Sequence, residues 1–370
     1  VATIEQSLLA ELKSIRMALA VADKGRAAPR RATLNRACAA IERCLERPLR
    51  IAVLGEEKSG KSLLINYLLK HQILPSGGFA GDSTEILIRY APEPSVHSVR
   101  TDGFRNRLTS KAFDRLVKPE SRIKPSTPSV IYDALNKSAS PAKSGPNPAN
   151  LVFAAPKTAK GPSRLIEVGL PLEFLKQVEI VEVRAFPKAK PDSPVGRAFR
   201  QVGAAVWCTL ATQAWKETEV LAWKRIPAVH RKGALLLVTY KDAIRHEKDE
   251  AKIAARLRHV SAALFDEVAL VSLRDAVQSL LSPDVEEAGQ LRSESNIETV
   301  EKAMAVMLHN WHARRLQKVG RLLDRIAGEL GSAAQDRDIG ATGELALRLQ
   351  RLALGYLRAS PSISLSVEAA

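Results

Sequence analysis

Apolar residues recur at spacings of three and four along residues 4 to 22, at Ile4, Leu8, Leu12, Ile15, Leu19 and Ala22, and again at Leu34, Cys38, Ile41 and Leu45. That period is the mark of an amphipathic helix, so two helices are predicted, split by the breaker "DKGRAAP". From residue 49 the pattern changes to short apolar runs, "LRIAVLG", "TEILIRY", "VEIVEV", "AAVWCTL", "GALLLVTY" and "EVALVSL", with helical stretches between them. Strand-length runs alternating with helices predict an α/β domain with a mainly parallel sheet covered by helices on both faces. After Pro283 helical spacing returns in a stripe through Ile297, Val300, Met304, Met307, Trp311, Leu316, Val319, Leu323, Ile326 and Leu330, stopping at Gly331. A last helix is predicted over 342 to 358, followed by a frayed tail over 359 to 370.

The terminal helices have apolar faces too wide to leave in water, which predicts a helical bundle built from both chain ends. The expected domains are thus 1–47 (N-terminal bundle helices), 48–282 (the α/β domain) and 283–358 (C-terminal bundle helices). Residues 117–163 differ from their surroundings, since "KPESRIKPSTPS" and "KSASPAKSGPNPAN" are rich in Pro, Ser, Lys and Asn. This stretch is expected to be a mobile basic insert, with Lys118, Arg122, Lys124, Lys137, Lys143, Lys157 and Lys160 outnumbering nearby carboxylates.

At 370 residues and 45% hydrophobic content the chain can bury one large core and a smaller one, which excludes disorder throughout. Fifty-six Lys plus Arg against forty Asp plus Glu give +16, a balance that suits an anionic partner such as nucleotide, nucleic acid or acidic lipid, or else a solvated basic surface. Cys38, Cys44 and Cys208 are odd in number and lack CxxC spacing, so neither a disulfide framework nor a zinc site is signalled, and a reducing cytoplasm is expected. No apolar run approaches the roughly 18–20 residues needed to span a bilayer. The start has no charged-then-apolar leader and no initiator Met, which suggests trimming. His309 and His312 sit three apart on a helix without a third ligand nearby in sequence, so solvated helix residues are the expectation there. Trp207, Trp215 and Trp223 are expected in packing.

The strongest chemical signal is "GEEKSGKS" at 55 to 62, which satisfies GxxxxGK[ST] with a predicted strand before it and an amphipathic helix, "SLLINYLLK", after it. Glycines let backbone amides curl around a β-phosphate, and the helix N-terminus adds partial positive charge. Lys61 would reach β- and γ-oxygens, and the Ser62 hydroxyl is placed to ligate magnesium. Gly55, Glu57, Lys58, Ser59, Gly60, Lys61, Ser62 and Leu63 are the expected nucleotide-binding positions of this loop.

"VLGEEKSGKSLLINYLL" followed by "ILPSGGFAGDSTEILIRY" resembles the dynamin superfamily of large GTPases, particularly its bacterial members, over about 49 to 275. "PSVHSVRTDG" resembles the hairpin after the family's first switch, and "GLPLEFLKQVEIVEV" the strand before the second. The terminal helices also match in kind. The resemblance implies that Thr84, with Ser83 as fallback, is the first-switch threonine that binds magnesium and orients the attacking water; a strand-start hydroxyl is the alternative. Lys58 and Glu57 occupy positions where the family acts on the transition state, and Lys61, Thr84 and Lys58 are the expected catalytic residues, with Ser62 and Thr84 on magnesium.

Two motifs depart from the family. Where it has D-T-P-G after the second-switch strand, this chain has Glu182, Val183, Arg184 and Ala185, a carboxylate one methylene longer and no glycine at the γ-phosphate position. Where [TN]KxD reads guanine, "LLLVTYKDAI" supplies Thr239, Tyr240, Lys241 and Asp242, with Asp242 at the guanine-reading distance and Tyr240 in the lysine's place. Asp242 as a helix cap is the alternative. "LVSLRDA" resembles the final base loop, with Ser272 and Leu273 near the purine. The resemblance implies a GTP- and GDP-binding, Mg2+-dependent GTPase that dimerises through its nucleotide face or pairs with a related dynamin-like partner. A cytoplasmic protein is expected, with peripheral contact at an anionic inner membrane surface and a solvated basic loop without a partner as the two alternatives, and nucleic acid is not expected. A weakly hydrolysing or non-hydrolysing GTP-binding scaffold stays open beside it.

Overall fold

The computed structural model describes residues 2–21, 28–70, 73–74, 84–100, 102–108, 164–183, 199–244 and 246–333. The basic insert at 117–163, the helix expected over 342–358 and the tail lie outside them. The chain divides into two compact units, one of residues 1–47 with 308–370 and one of residues 48–307.

The larger unit is built on a nine-stranded sheet in the order β4-β3-β5-β2-β6-β1-β7-β8-β9. Its strands are β1 (Leu49–Gly55), β2 (Thr84–Tyr90), β3 (Ser95–Val99), β4 (Arg105–Arg107), β5 (Arg164–Leu170), β6 (Val178–Glu182), β7 (Val202–Leu210), β8 (Leu235–Thr239) and β9 (Glu267–Leu270). From β6 through β1, β7, β8 and β9 every pairing is parallel. β2 turns the direction by pairing antiparallel with β6, and β5 follows it in parallel. The β3–β4 hairpin closes the edge antiparallel.

β1 is buried at six consecutive positions, as a central strand covered on both faces must be. One face joins Ala52 and Leu54 to Val181, Ala205, Trp207, Leu236 and Val238 in a single core. Trp207, Trp215, Trp223 and Phe265 form the aromatic centre of that core, with ring centroids 4.5–6.0 Å apart. By strand alternation Ile51 and Val53 face the other way, and both are equally buried.

The helices of this unit are α3 (Lys61–Leu69), α4 (Glu217–Lys224), α5 (Ala228–Arg231), α6 (Glu247–Ser261), α7 (Leu273–Leu281), α8 (Val285–Ser295) and the start of α9 (Ile297–Ala333). The unit therefore continues past the boundary expected at 282. The reason is a set of specific ties: Ser272 N donates to Ser295 O at 3.0 Å, Asn296 Nδ2 donates to Leu270 O at 2.7 Å, and Ile297 is fully buried.

In the smaller unit α1 (Ala2–Val21), α2 (Ala28–Glu46) and the α9 residues from Leu308 onward bury one stripe each. Leu8, Leu12, Ile15, Cys38, Ile41, Leu45, Leu316, Val319, Leu323 and Ile326 make its core, so the predicted periodicities meet. Arg315 donates to Leu45 O at 3.2 Å and Arg47 O at 3.1 Å, satisfying carbonyls at the end of α2.

Candidate functional site

The loop 55–60 leaves the C-terminal end of β1 and enters α3, at the sheet end where parallel α/β folds place ligands. Gly55 pairs with Cys208 across β1 and β7, and has φ 136°. A Cβ there would lie 2.1 Å from Cys208 O, so only glycine lets the strand turn out into the loop. Gly60, at φ 87°, packs where a Cβ would lie 2.9 Å from Leu273 Cδ1 and 3.1 Å from Thr239 Cγ2. Lys58, at φ 59°, completes the curl. α3 begins directly after, so its first amides have no intrahelical acceptor and face the loop.

Lys61 is buried, and its ammonium donates to Gly55 O at 2.9 Å and to Glu56 O. Ser62 Oγ donates to Glu182 Oε1 at 3.1 Å, and Glu182 is 1% exposed at the end of β6. A hydroxyl, a buried carboxylate and an ammonium thus converge at the mouth of the loop. Cys208 lies beneath them. Burial pushes its thiol up to about 12, nearby Lys61 pulls it down, and Glu182 and Glu219 push it up.

Thr84 opens β2, two residues before Ile86, the antiparallel partner of Glu182. Its backbone is therefore at the same end of the sheet as Glu182; its side chain and residues 75–83, including Ser83, lie outside the described residues. So do Arg184 and Ala185. Glu57 and Lys58 are exposed on the loop's rim, Ser59 and Gly60 form its inner part, and Leu63 is half-buried on α3.

Residues 239–242, expected to read the base, are drawn onto the same loop. Thr239 Oγ1 lies 3.1 Å from both Ser59 O and Thr209 O, a single donor shared between two carbonyls. Tyr240, at φ 62°, donates its hydroxyl to Lys58 O at 3.2 Å. The Lys241 ammonium is engaged by Glu294 O at 2.8 Å and Glu250 Oε1 at 3.2 Å and so ties residues 239–242 to α8 and α6. Asp242 lies in a short 3-10 turn, 3.8 Å from Arg274 Nη1. It does not cap α6, whose N-cap is His246. Ser272 is buried and spends its hydroxyl accepting from Asp275 N at 3.3 Å as the cap of α7.

Sequence reasoning left out Glu219. This buried carboxylate accepts from Trp207 Nε1 at 3.0 Å, Thr209 Oγ1 at 2.8 Å and Lys216 N at 3.0 Å. It fixes the β7–α4 loop, from which Lys216 pairs with Glu56 at 3.1 Å on the phosphate-loop tip. Among the described residues no group of three or more His, Cys, Asp or Glu side chains could hold a metal ion. The oxygens of Ser62 and Glu182 suit a hard cation that keeps most of its waters, which is the habit of magnesium.

No protein-family model and no curated protein sequence matches the chain. Solved structures do. Two of them, both described as an oligomerised bacterial dynamin pair that provides a mechanism for long-range sensing and tethering of membranes, superpose with a TM-score of 0.52 at 16% and 17% identity. They cover 94% and 95% of this chain, while it spans 58% and 59% of theirs. An Era structure from Aquifex aeolicus, 11% identical over 69% of this chain and 55% of that one, superposes at only 0.31. The chain therefore shares the fold of these bacterial dynamin structures and spans less than two thirds of their length.

Proposed function

We propose that this chain is a dynamin-like GTPase that binds GTP in the 55–62 loop and hydrolyses it to GDP and phosphate. The observation that carries the proposal is the meeting of Ser62 Oγ with the buried Glu182 carboxylate at 3.1 Å, at the start of the helix that opens with Lys61. A loop that had lost its ligand would have no need to hold a buried carboxylate against a hydroxyl at the end of a helix, since burying an ion costs several kcal/mol unless it is compensated.

Magnesium would be held by Ser62 and Thr84 with Glu182 behind Ser62, and when bound it neutralises charge on the transferring phosphoryl group. Lys61 neutralises β- and γ-oxygens from inside the loop, and the amides at the start of α3 bind the remaining phosphate oxygens. Thr84 orients the attacking water and Lys58 acts from the rim. Catalysis of this kind is positional, so a partner that closes over the nucleotide face completes it. Dimerisation there, with a second copy or a related chain, is supported by the oligomerised pair whose fold this chain shares. Peripheral contact with an anionic membrane surface is supported by the same description and by the +16 charge. Among the described residues no helix is long and apolar enough to cross a membrane.

A second reading, a GTP-binding scaffold with little turnover, is favoured by Ala185 standing where the family's γ-phosphate-sensing glycine belongs. Phosphate release from GTP, measured with and without magnesium over a range of protein concentrations, separates the two. Turnover that rises per molecule with concentration supports the dimerising GTPase. Tight GTP binding without turnover supports the scaffold, and absence of GTP binding overturns both.

A further inference from the structure

We infer that Arg274 is a specificity-determining residue that donates to the acceptor edge of guanine, O6 and N7, while Asp242 accepts from the donor edge. The inference rests on the reading that this site binds a guanine nucleotide. Arg274 stands second on α7, after Ser272, which caps the helix, and Leu273, which is buried against Gly60 of the phosphate loop. Lys241 N donates to Val271 O at 3.2 Å, so the loop carrying Asp242 and the loop leading to Arg274 are laced together. On that frame the guanidinium lies between two carboxylates, with Nη1 3.8 Å from Asp242 Oδ2 and Nε 3.5 Å from Asp275 Oδ1.

The side chain is 67% exposed, and an ion pair this open and this long contributes little to folding. What the pair does offer is a donor and an acceptor at one mouth. Guanine presents O6 and N7 as acceptors beside the donors N1–H and the 2-amino group, and arginine is the side chain whose fork matches O6 and N7 together. Adenine reverses both signs, with its 6-amino group facing the guanidinium and its N1 lone pair facing the carboxylate. In the free protein Asp242 holds Arg274 at the site, and arrival of the base gives each group a new partner of the right polarity.

The test uses the full chain and diphosphates, so that turnover does not interfere. Kd values for GDP, 7-deaza-GDP, IDP and ADP are measured by calorimetry for the parent and for Arg274→Ala, with thermal unfolding of both to confirm the fold. The parent is expected to bind GDP about tenfold more tightly than 7-deaza-GDP, and Arg274→Ala to weaken GDP by about 100-fold and 7-deaza-GDP by about tenfold, through loss of O6, so that the variant binds both equally. The preference for GDP over IDP, which reports the 2-amino group, is expected to survive the substitution. Unchanged GDP affinity in Arg274→Ala overturns the inference and leaves GTP binding standing. Equal weakening of GDP and 7-deaza-GDP also overturns it, because Arg274 would then act only by holding Asp242. A parent chain that binds no guanine nucleotide overturns the GTP reading, and the inference falls with it.

Discussion

Replacing Glu219 by Gln is the most informative single perturbation of the scaffold around the site. The carboxylate is 3% exposed, with Oε1 accepting from Trp207 Nε1 and Oε2 from both Thr209 Oγ1 and Lys216 N. All three partners are donors, so an amide NH2 on either side must face at least one of them. With the amide oxygen kept at the two-donor position, its NH2 meets Trp207 Nε1–H in the aromatic core. One buried donor is orphaned and two charge-assisted bonds become neutral. An orphaned buried donor costs about 1–3 kcal/mol and each weakened bond about 0.5–1 kcal/mol, so Glu219→Gln is expected to destabilise by roughly 2–5 kcal/mol despite being isosteric. Glu219→Ala adds a cavity and is expected to cost more. Urea unfolding followed by Trp fluorescence measures this, because Trp207, Trp215 and Trp223 share that core. A loss below about 0.5 kcal/mol would refute the claim that the three donors depend on a charged acceptor. The β7–α4 loop also carries Lys216, the partner of Glu56, so GDP affinity should fall in folded Glu219→Gln as well.

Gly55→Ala should abolish nucleotide binding and lower the melting temperature, since its Cβ would lie 2.1 Å from Cys208 O at φ 136°; calorimetry and thermal unfolding measure both. Lys61→Ala should weaken GTP by roughly 100-fold or more by removing charge-assisted contacts worth about 1.5–3 kcal/mol each, and unchanged affinity in calorimetry would put the phosphate site elsewhere. Burial pushes the thiols of Cys38 and Cys208 up to about 11 and about 12, so at pH 8 a chromogenic disulfide reagent should titrate no more than Cys44 in the folded chain and all three cysteines in denaturant. Because the fold favours these protonated thiols, their contribution to stability is complete below the ordinary pKa of 9.0 and is lost as pH rises toward 11 and 12.

Local signals carried the fold a long way. Six strands and the helices around them were legible because apolar runs of the right length and period are local facts. β5 was not, since "RLIEVGL" leads straight into "PLEFLKQVEIVEV" and the two strands blur into one apolar stretch. The phosphate loop was legible because its spacing is a local geometric requirement. Its partners were not: Tyr240 meets Lys58 across 182 residues and Thr239 meets Ser59 across 180. The place of Lys241 in the motif is local, while Glu294, which engages its ammonium, is 53 residues away. Glu219, in "ETEVLAW", carries no local sign of its role. It makes the returning half of a capping box, with Lys216 N donating to its carboxylate, but lysine in place of Ser or Thr at the cap hides the pattern.

Two departures from the family pattern, at Glu182 and Tyr240, share a physical form. Glu182 is one methylene longer than the expected aspartate, yet its carboxylate still meets Ser62 Oγ at 3.1 Å and stays buried. Tyr240 replaces a lysine with a neutral phenol, yet its hydroxyl still donates to the phosphate-loop carbonyl of Lys58. Each substitution keeps the sign of the interaction and changes its reach or its charge. A site decaying without function would first lose such pairings, because an unpaired buried carboxylate is costly and an exposed phenol gains nothing from a left-handed backbone at φ 62°. The buried acceptor and the strained donor are what the proposed nucleotide site requires, and under that reading the altered second switch bears on turnover rather than on binding.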